Sequence, residues 1–308
     1  MFKAFPQPYL PGYTAPEGAM PVPIPVQIFE PVQTSSHVVF ASPHSGRVYP
    51  PEFLIRADVS GHVLRSSEDA YVDLLLADAP AFGAPLITSE VPRAYVDFNR
   101  DETELDPALI EGAPRGGLNP RVASGLGVIA RVVANGRHIY RGKLSMAEAQ
   151  RRIERYWRPY HMALQGVMQR QHARFGQVLL ADIHSMPHEA LSGYSLRGQP
   201  RPQVVLGDRH GAACNPEMLD RVEDIFRQAG LVVSRNTPFA GAYIAQRYGR
   251  PSRGMHVIQI EIDRRLYLDE KRVEPSSDFH AFRVVMRDIV AGIAAIGRPG
   301  GAAKIAAE

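Results

Sequence analysis

Short apolar runs alternate with amphipathic stretches along the chain from residue 37 onward. The runs have the length of buried strands, and the amphipathic stretches repeat apolar residues at helical spacing. Strands that alternate with helices of this length predict an α/β fold of three layers, with a largely parallel mixed sheet flanked by helices. Strands are predicted at 37–42, 84–91, 94–99, 177–184, 231–236 and 255–262, and helices at 61–83, 144–176, 215–230 and 276–297.

The stretch 144–176 has the clearest helix boundaries. Ser145 followed by Glu148 predicts a capped beginning, and Gly176 predicts the end. Pro159 predicts a break or kink inside the helix, because proline lacks the backbone N–H that the helix needs.

Two segments lack a regular pattern. Residues 1–31 contain eight prolines, which forbid a helix and favour an extended arm. Residues 101–142 are rich in Gly, Pro and Asp, and long loops in compact domains are often functional. We therefore divide the chain into a proline-rich N-terminal arm, 1–31, and a single catalytic domain, 32–308.

The composition narrows the class of protein. The chain has 308 residues, 45% hydrophobic content and a formal net charge of +3, without the clustered basic residues of a nucleic-acid-binding surface. Its one cysteine, Cys214, excludes an internal disulfide and a cysteine-based metal site. With neither a signal peptide nor a long apolar run visible, a cytoplasmic enzyme without nucleic-acid or membrane partners is expected. The oligomeric state stays open.

A His-Ser pair lies at or just beyond the end of two predicted strands. His44 follows the first strand in "ASPHSGR", and His184 ends "QVLLADIH" with Asp182 on the same face. Functional groups collect at the carboxyl ends of strands in such sheets, so the two histidines are predicted to meet. Two histidines and a carboxylate form a common catalytic zinc site, and "SSEDAYVD" offers Glu68 and Asp69 as carboxylates.

A zinc hydrolase also needs a general base. Glu261 lies inside the apolar strand "VIQIEID", where a carboxylate is costly unless it is used or paired. Zinc would supply a nucleophilic water near neutral pH, and Glu261 would exchange its proton. The structural alternatives are a satisfied core carboxylate for Glu261 and a solvated charged pair for Glu68 and Asp69. Spacing alone leaves six rival ligands: His62, His138, His161, His188, His210 and His256.

The segment "VPRAYVDFNRDETELDP" predicts a binding site for an acidic small molecule. Arg93 and Arg100 flank its centre, and Asn99 adds an amide donor. A guanidinium binds a carboxylate through two parallel hydrogen bonds, which leaves the other arginine for an oxyanion. The alternative is a set of surface salt bridges with Asp101, Glu102 and Glu104.

Eight stretches, in order, resemble the N-formylglutamate amidohydrolase family. The resemblance covers roughly residues 37–275 and implies a fold similar to the zinc carboxypeptidases and the aspartoacylase group. It implies one Zn²⁺ per chain, with another divalent metal as the alternative. The implied reaction hydrolyses N-formyl-L-glutamate to formate and L-glutamate, in histidine degradation. The stretches are "SPHSGRVYP", "RSSEDAYVDLL", "PRAYVDFNRD", "RPYHMAL", "DIHSMP", "LGDRHGAAC", "PFAGAYIAQRYGRP" and "IQIEIDRRLYLDE".

The resemblance also assigns the metal ligands and the general acid/base. It implies that His44 and His184 bind zinc and that Glu261 transfers protons. The second carboxylate ligand would be Asp69, with Glu68 as its rival. Both lie in the predicted helix after the first histidine.

The remaining roles concern the substrate. The resemblance implies that Arg93 stabilises the oxyanion and that Asn99 and Arg100 hold a substrate carboxylate. Arg247 stands in "AQRYG" where some members have "RHYG", so it is assigned to the substrate's side chain. Two alternatives remain, a related zinc amidohydrolase or peptidase acting on another N-acyl amino acid or peptide, and a non-catalytic protein that binds acidic metabolites.

Overall fold

A computed structural model describes residues 22–114, 119–194 and 201–298. Seven strands form the central sheet and four very short strands form two separate ribbons. The strands are β1 Gln27–Phe29, β2 Val38–Ser42, β3 Leu86–Thr88, β4 Val132–Val133, β5 Arg137–His138, β6 Val178–Met186, β7 Val204–Gly207, β8 Val233–Arg235, β9 Met255–Asp263, β10 Leu268–Asp269 and β11 Glu274–Pro275. The helices are α1 Pro51–Arg56, α2 Gly61–Arg65, α3 Val72–Leu75, α4 Pro120–Ala123, α5 Met146–Arg152, α6 Arg158–Phe175, α7 Pro216–Gln228, α8 Tyr243–Tyr248 and α9 Phe279–Ile296.

The central sheet has the strand order β1-β3-β2-β6-β9-β7-β8. Its middle strands β3, β2, β6 and β9 run parallel, whereas β1 pairs antiparallel with β3, and β7 pairs antiparallel with β9 and parallel with β8. The predicted three-layer architecture with a largely parallel mixed sheet is therefore confirmed. Within the described ranges, the helices lack the combination of length and apolar character that a membrane-spanning segment needs.

A hydrophobic core lies on each face of the sheet, because successive side chains of a strand point to opposite faces. Val39 and Ala41 pack into one core, and Val38 and Phe40 into the other. Helices α6 and α8 cover the first face, and α7 and α9 cover the second. Burial on both faces explains why these strands read as continuous apolar runs.

The single helix predicted over 61–83 is wrong. The structure has α2, α3 and a 3-10 turn at Ala79–Phe82, with a non-helical link at 66–71. Within the link the backbone N–H of Asp69 donates to the carbonyl of His44 at 2.9 Å. Tyr71 has a φ of +64°. The link therefore bonds to the loop after β2 instead of continuing the helix.

The strand predicted at 94–99 is also wrong, because the segment folds into turns. The N–H groups of Tyr95 and Val96 both donate to the carbonyl of Pro92. Such local bonds compete with a sheet ladder, and they curl the segment toward the carboxyl ends of β2 and β6.

The helix predicted at 144–176 begins and ends where its boundary residues indicated. The hydroxyl of Ser145 accepts from the N–H of Glu148 at 3.2 Å, and Gly176 ends α6 with a φ of +76°. A π-helical turn at Ile153–Trp157 separates α5 from α6. Pro159 lies in the first turn of α6, where its missing N–H is tolerated.

The proline-rich arm is described only from residue 22. Its described part contributes β1, which pairs antiparallel with β3 at the edge of the sheet. Residues 1–21 of the predicted arm and the last residues of the predicted domain, 299–308, lie outside the described ranges.

Candidate active site and metal centre

Three side chains that could ligate a metal converge at the carboxyl ends of the central strands. His44 lies two residues beyond β2, His184 is in β6, and Asp69 is in the link between α2 and α3. One ligand atom of each lies within 4.8 Å of the others, and all three side chains are buried. The structure thus brings together His44, Asp69 and His184, hereafter the triad.

Both histidines present the same nitrogen to the aspartate. His184 Nδ1 lies 3.0 Å and His44 Nδ1 lies 3.4 Å from Asp69 Oδ2. The opposite nitrogens contact other carboxylates. His44 Nε2 lies 2.8 Å from Asp97 Oδ1, and His184 Nε2 lies 3.0 Å from Asp182 Oδ2. A carboxylate that accepts from one ring nitrogen fixes the tautomer and orients the other nitrogen toward a metal.

This arrangement fits a divalent cation. When Nε2 of each imidazole donates to its carboxylate, both Nδ1 atoms offer lone pairs toward the anionic oxygen of Asp69. His44 Nδ1 is buried and has no hydrogen-bond partner among the described residues. Three converging lone-pair donors repel one another unless a cation lies between them. Two imidazole nitrogens and one carboxylate oxygen are donors that catalytic zinc uses.

The charge of Asp69 is fixed by its neighbours. Burial alone raises the pKa of its carboxyl, but His184 and His44, when their Nδ1 atoms carry protons, outweigh burial and hold that pKa well below its usual range. The second oxygen, Oδ1, accepts from Arg264 Nη2 at 3.1 Å and from Ser185 Oγ at 3.3 Å. Asp69 is therefore an oriented, ionised carboxylate with Oδ2 left for the histidines.

Glu68 faces a different set of partners. Its Oε1 accepts from the Tyr49 hydroxyl at 2.8 Å, and Arg65 Nε lies 3.1 and 3.2 Å from its two oxygens. We call Tyr49, Arg65 and Glu68 the Glu68 cluster. Of the two carboxylates that the sequence left as rivals, the structure places Asp69 against the histidines.

Glu261 lies next to the triad on a neighbouring strand of the sheet. It lies in β9 directly opposite His184 of β6. Burial raises the pKa of its carboxyl, the charge of Asp69 adds to this effect, and His184 and Arg93 oppose it. Gln259 Nε2 donates to Glu261 Oε1 at 2.8 Å, and the carboxylate lines a cavity.

Asn99 contacts Glu261 indirectly, through the side chain of Gln259. Its Nδ2 donates to Gln259 Oε1 at 3.1 Å, and its Oδ1 accepts from the N–H of Ile244 at 2.8 Å. Gln259 Oε1 also accepts from the N–H of Ala242. The amide of Asn99, expected to hold a substrate carboxylate, is thus engaged inside the protein and ties the start of α8 to Gln259 and Glu261.

A cavity of about 760 Å³ lies beside the triad. Its walls include Glu261, Gln259 and Asn99 and the guanidinium groups of Arg93 and Arg100. Arg93 Nε donates to Asp97 Oδ2 at 2.9 Å, and its side chain is 29% exposed. This volume is within the range of small-molecule sites.

Arg247 lies away from this cavity. It borders a separate groove of about 650 Å³, and its guanidinium lies over the rings of Tyr243 and Tyr248. Among the described residues, no rival histidine joins the triad. His161, for example, bonds to the Tyr248 hydroxyl and the Phe98 carbonyl, both at 2.9 Å.

Three supporting residues were not singled out from the sequence. Asp97 lies inside "YVDFNR" between two predicted substrate residues, and only the turn at 94–99 brings it to His44. Gln259 lies two residues before Glu261, and strand periodicity places both on one face. Arg264 follows β9 directly and reaches Asp69. Strand periodicity could have found Gln259, whereas Asp97 and Arg264 depend on tertiary contacts.

Comparison with known proteins gives consistent matches. Residues 36–268 match the family model of N-formylglutamate amidohydrolase. The crystal structure of N-formylglutamate amidohydrolase from Ralstonia eutropha JMP134 is similar with a TM-score of 0.83 and 36% identity, over 89% of this chain and 98% of that chain. The N-formylglutamate deformylase of Pseudomonas putida is 29% identical over 209 residues, 66% of this chain and 71% of its own. That of Pseudomonas aeruginosa is 28% identical over 235 residues, 75% of this chain and 82% of its own.

Proposed function

This chain belongs to the N-formylglutamate amidohydrolase family, and we propose that it hydrolyses N-formyl-L-glutamate to formate and L-glutamate with a bound zinc ion, as a step of histidine degradation. The observation that carries the proposal is the convergence of the triad beside Glu261. The relatives named N-formylglutamate deformylase support the substrate. A cavity lined by four arginines, Arg93, Arg100, Arg121 and Arg264, is consistent with an acidic molecule of this size.

The triad would hold the metal through His44 Nδ1, Asp69 Oδ2 and His184 Nδ1. When bound, zinc supplies a Lewis acid that polarises the formyl carbonyl and acidifies water. Asp97 and Asp182 keep each imidazole in the tautomer that presents Nδ1. Arg264, which donates to Asp69 Oδ1, helps to keep this carboxylate ionised, as a metal ligand must be.

Glu261 moves the protons. Gln259 occupies Oε1, so Oε2 takes a proton from the attacking water and returns it to the nitrogen of the leaving glutamate. The raised pKa of the carboxyl brings it closer to the range in which one group both accepts and donates a proton. Asn99 acts through Gln259, by fixing the amide that orients Glu261.

Two of the four cavity arginines, Arg93 and Arg100, neutralise negative charge. Arg93 is anchored by Asp97 and turns its terminal nitrogens to the charge that develops on the formyl oxygen. Arg100 is buried, and its Nε and Nη1 donate to the carbonyls of Leu126 and Asn99. Its remaining donors hold a substrate carboxylate.

Metal content and formate release test the proposal together. Purified protein is expected to carry about one zinc per chain and to release formate from N-formyl-L-glutamate. His184→Ala should lose both, and His138→Ala, the same change at an exposed histidine of β5, should lose neither. Zinc without formate release would direct the search to other N-acyl amino acids. Absence of metal, with no activity when zinc is added back, would contradict a metallohydrolase and favour a binding protein for acidic metabolites.

A further inference from the structure

A side pocket of about 310 Å³ adjoins the cavity that contains Glu261. The two spaces share walls at Asn99, Arg100, Arg121, Gly241 and Ala242. Among the described residues, neither the triad nor Arg93 or Glu261 borders the side pocket. It is therefore placed to receive the part of a substrate that is remote from the reacting bond.

The walls of the side pocket carry an excess of positive charge. Three arginines, Arg100, Arg121 and Arg209, border it together with one described carboxylate, Glu104. Both oxygens of Glu104 already accept hydrogen bonds, Oε1 from the N–H of Asp101 at 3.0 Å and Oε2 from Asn119 Nδ2 at 3.0 Å. Within the described ranges, none of the three arginines forms an ion pair.

The burial of Arg100 makes the excess of positive charge in the side pocket energetically unfavourable. Arg100 is 5% exposed, and its hydrogen-bond acceptors among the described residues are the neutral carbonyls of Leu126 and Asn99. Burial lowers the pKa of its guanidinium, Asp97 opposes this, and the nearby charges of Arg93 and Arg121 lower it further. A buried cation beside two other cations is stabilised when an anion binds among them.

The position of Arg121 is fixed by the loop that carries it. Arg121 lies in α4, whose first turn is capped by Asn119 Oδ1 accepting from the N–H of Arg121 at 3.0 Å. Asn119 is tied to Glu104, and Leu126, beyond the end of α4, is tied to Arg100 Nε at 2.9 Å. These two hydrogen bonds hold the segment of Arg121 at the wall of the pocket that Arg100 also borders, while the Arg121 side chain stays exposed.

We infer that the side pocket binds the side-chain carboxylate of the substrate and that Arg121, paired with Arg100, determines the preference for a dicarboxylic N-formyl amino acid. This inference rests on the proposed function and extends it to a residue to which no role has been assigned above. Arg100 and Arg121 border the same space and can both donate to one carboxylate, and charge-assisted hydrogen bonds of this kind are the strong ones. Arg121, on α4, thereby supplies specificity, whereas the triad and Glu261 supply the chemistry.

The test compares N-formylglutamate with N-formylglutamine, which has the same shape and lacks the side-chain charge. Arg121→Gln is expected to raise KM for N-formylglutamate by about 10- to 100-fold with kcat within about threefold. It should leave kcat/KM for N-formylglutamine nearly unchanged, and Arg121→Lys should recover part of the loss. The matched control is Arg137→Gln, which removes an exposed positive charge from β5 beside the cavity wall at Gly136. It should leave both substrates within about threefold.

The outcomes separate this inference from the proposed function. If the wild type releases formate from N-formylglutamate and Arg121→Gln has the wild-type KM, the inference is overturned and the function stands. Equal losses in Arg121→Gln and Arg137→Gln would also overturn it, because general attraction of an anion would then explain both. If the wild type releases no formate, the function fails. Calorimetric binding of glutarate to wild type and Arg121→Gln then decides the inference, and equal affinities would overturn it.

Discussion

Two neighbouring carboxylates, Glu68 and Asp69, are both buried, yet they belong to polar regions of different kinds. In the Glu68 cluster the protein supplies the counter-charge through Arg65 and a hydrogen bond from Tyr49. In the triad, Asp69 Oδ2 faces two imidazole nitrogens, and His44 Nδ1 has no hydrogen-bond partner among the described residues. A buried polar region that is complete by itself serves the fold, whereas one that lacks a cation is suited to bind one.

The two environments also shift the acidity of the carboxyls in opposite directions. Burial raises the pKa of Glu68, and Arg65 and Tyr49 only partly oppose it. The pKa of Asp69 is held well below its usual range, because two histidines outweigh burial. Opposite pKa shifts in two adjacent residues indicate that their surroundings suit them to different roles.

The sharpest test exchanges the two carboxylates for their amides one at a time. Asp69→Asn removes the ionised ligand, so bound zinc and formate release are both expected to fall to background. Glu68→Gln should keep zinc and activity within a fewfold. It should lower the free energy of unfolding by about 2 kcal/mol, because it leaves the partly buried charge of Arg65 without its partner. Elemental analysis, formate assays and urea unfolding of both variants measure the contrast.

The reverse pattern would break the comparison. If Glu68→Gln lost the metal and Asp69→Asn kept it, Glu68 would be the ligand and the Glu68 cluster would belong to the site. If both variants kept full activity, neither carboxylate would act in the reaction.

This pair also marks the limit of sequence-based prediction. The apolar runs predicted the strands that carry His184 and Glu261, because burial on both faces leaves a continuous pattern. The choice between Glu68 and Asp69 depends on the link at 66–71, which bonds to the loop after β2. The helical periodicity of the sequence over 61–83 contains no information about such a long-range hydrogen bond.

The cavity illustrates the same limit for the substrate residues. Arg93 and Arg100 were found because their spacing around Asn99 suggested an anion site. The engagement of Asn99 with Gln259, and the position of Arg247 in a separate groove, depend on how α8 packs against β9. The contribution of Arg121 depends on a loop without a regular pattern.

Substitution of a third buried carboxyl, that of Glu261, distinguishes metal binding from proton transfer. Glu261→Gln keeps the hydrogen-bonding shape but cannot accept a proton. Turnover is expected to fall by about 10²–10⁴-fold, with zinc content unchanged, because Glu261 is not a triad ligand. Steady-state formate release and elemental analysis measure the two quantities. Unchanged turnover would remove Glu261 from the reaction, and loss of zinc would make it part of the metal site.

The carboxylates behind the histidines should have a smaller effect. Asp182→Asn can no longer accept the Nε2 proton of His184 as a carboxylate does, so zinc affinity should fall by about 10- to 100-fold. Asp73→Asn is the matched control, because Asp73 pairs with Arg47 outside the triad. Competition with a chelator measures both affinities. Equal affinities in the two variants would mean that Asp182 does not tune the ligand.

His161 extends the comparison to histidines and carries the smallest effect. Unlike the triad histidines, it is satisfied by a hydroxyl and a carbonyl, and burial lowers its pKa to about 3. The unfolded chain, with an ordinary pKa of about 6.5, takes up a proton as the pH falls, whereas the folded protein does not. His161 therefore contributes stability that is present above about pH 6.5 and lost as the pH falls toward 3.

Between pH 7 and pH 5 this loss amounts to about 2 kcal/mol. His161→Gln can replace both hydrogen bonds without titrating, so its free energy of unfolding should depend less on pH by that amount. Urea unfolding of wild type and variant at the two pH values measures the difference. The same pH dependence in both proteins would show that His161 does not stay neutral in the folded state. His161 would then differ from the triad histidines only in lacking a carboxylate partner.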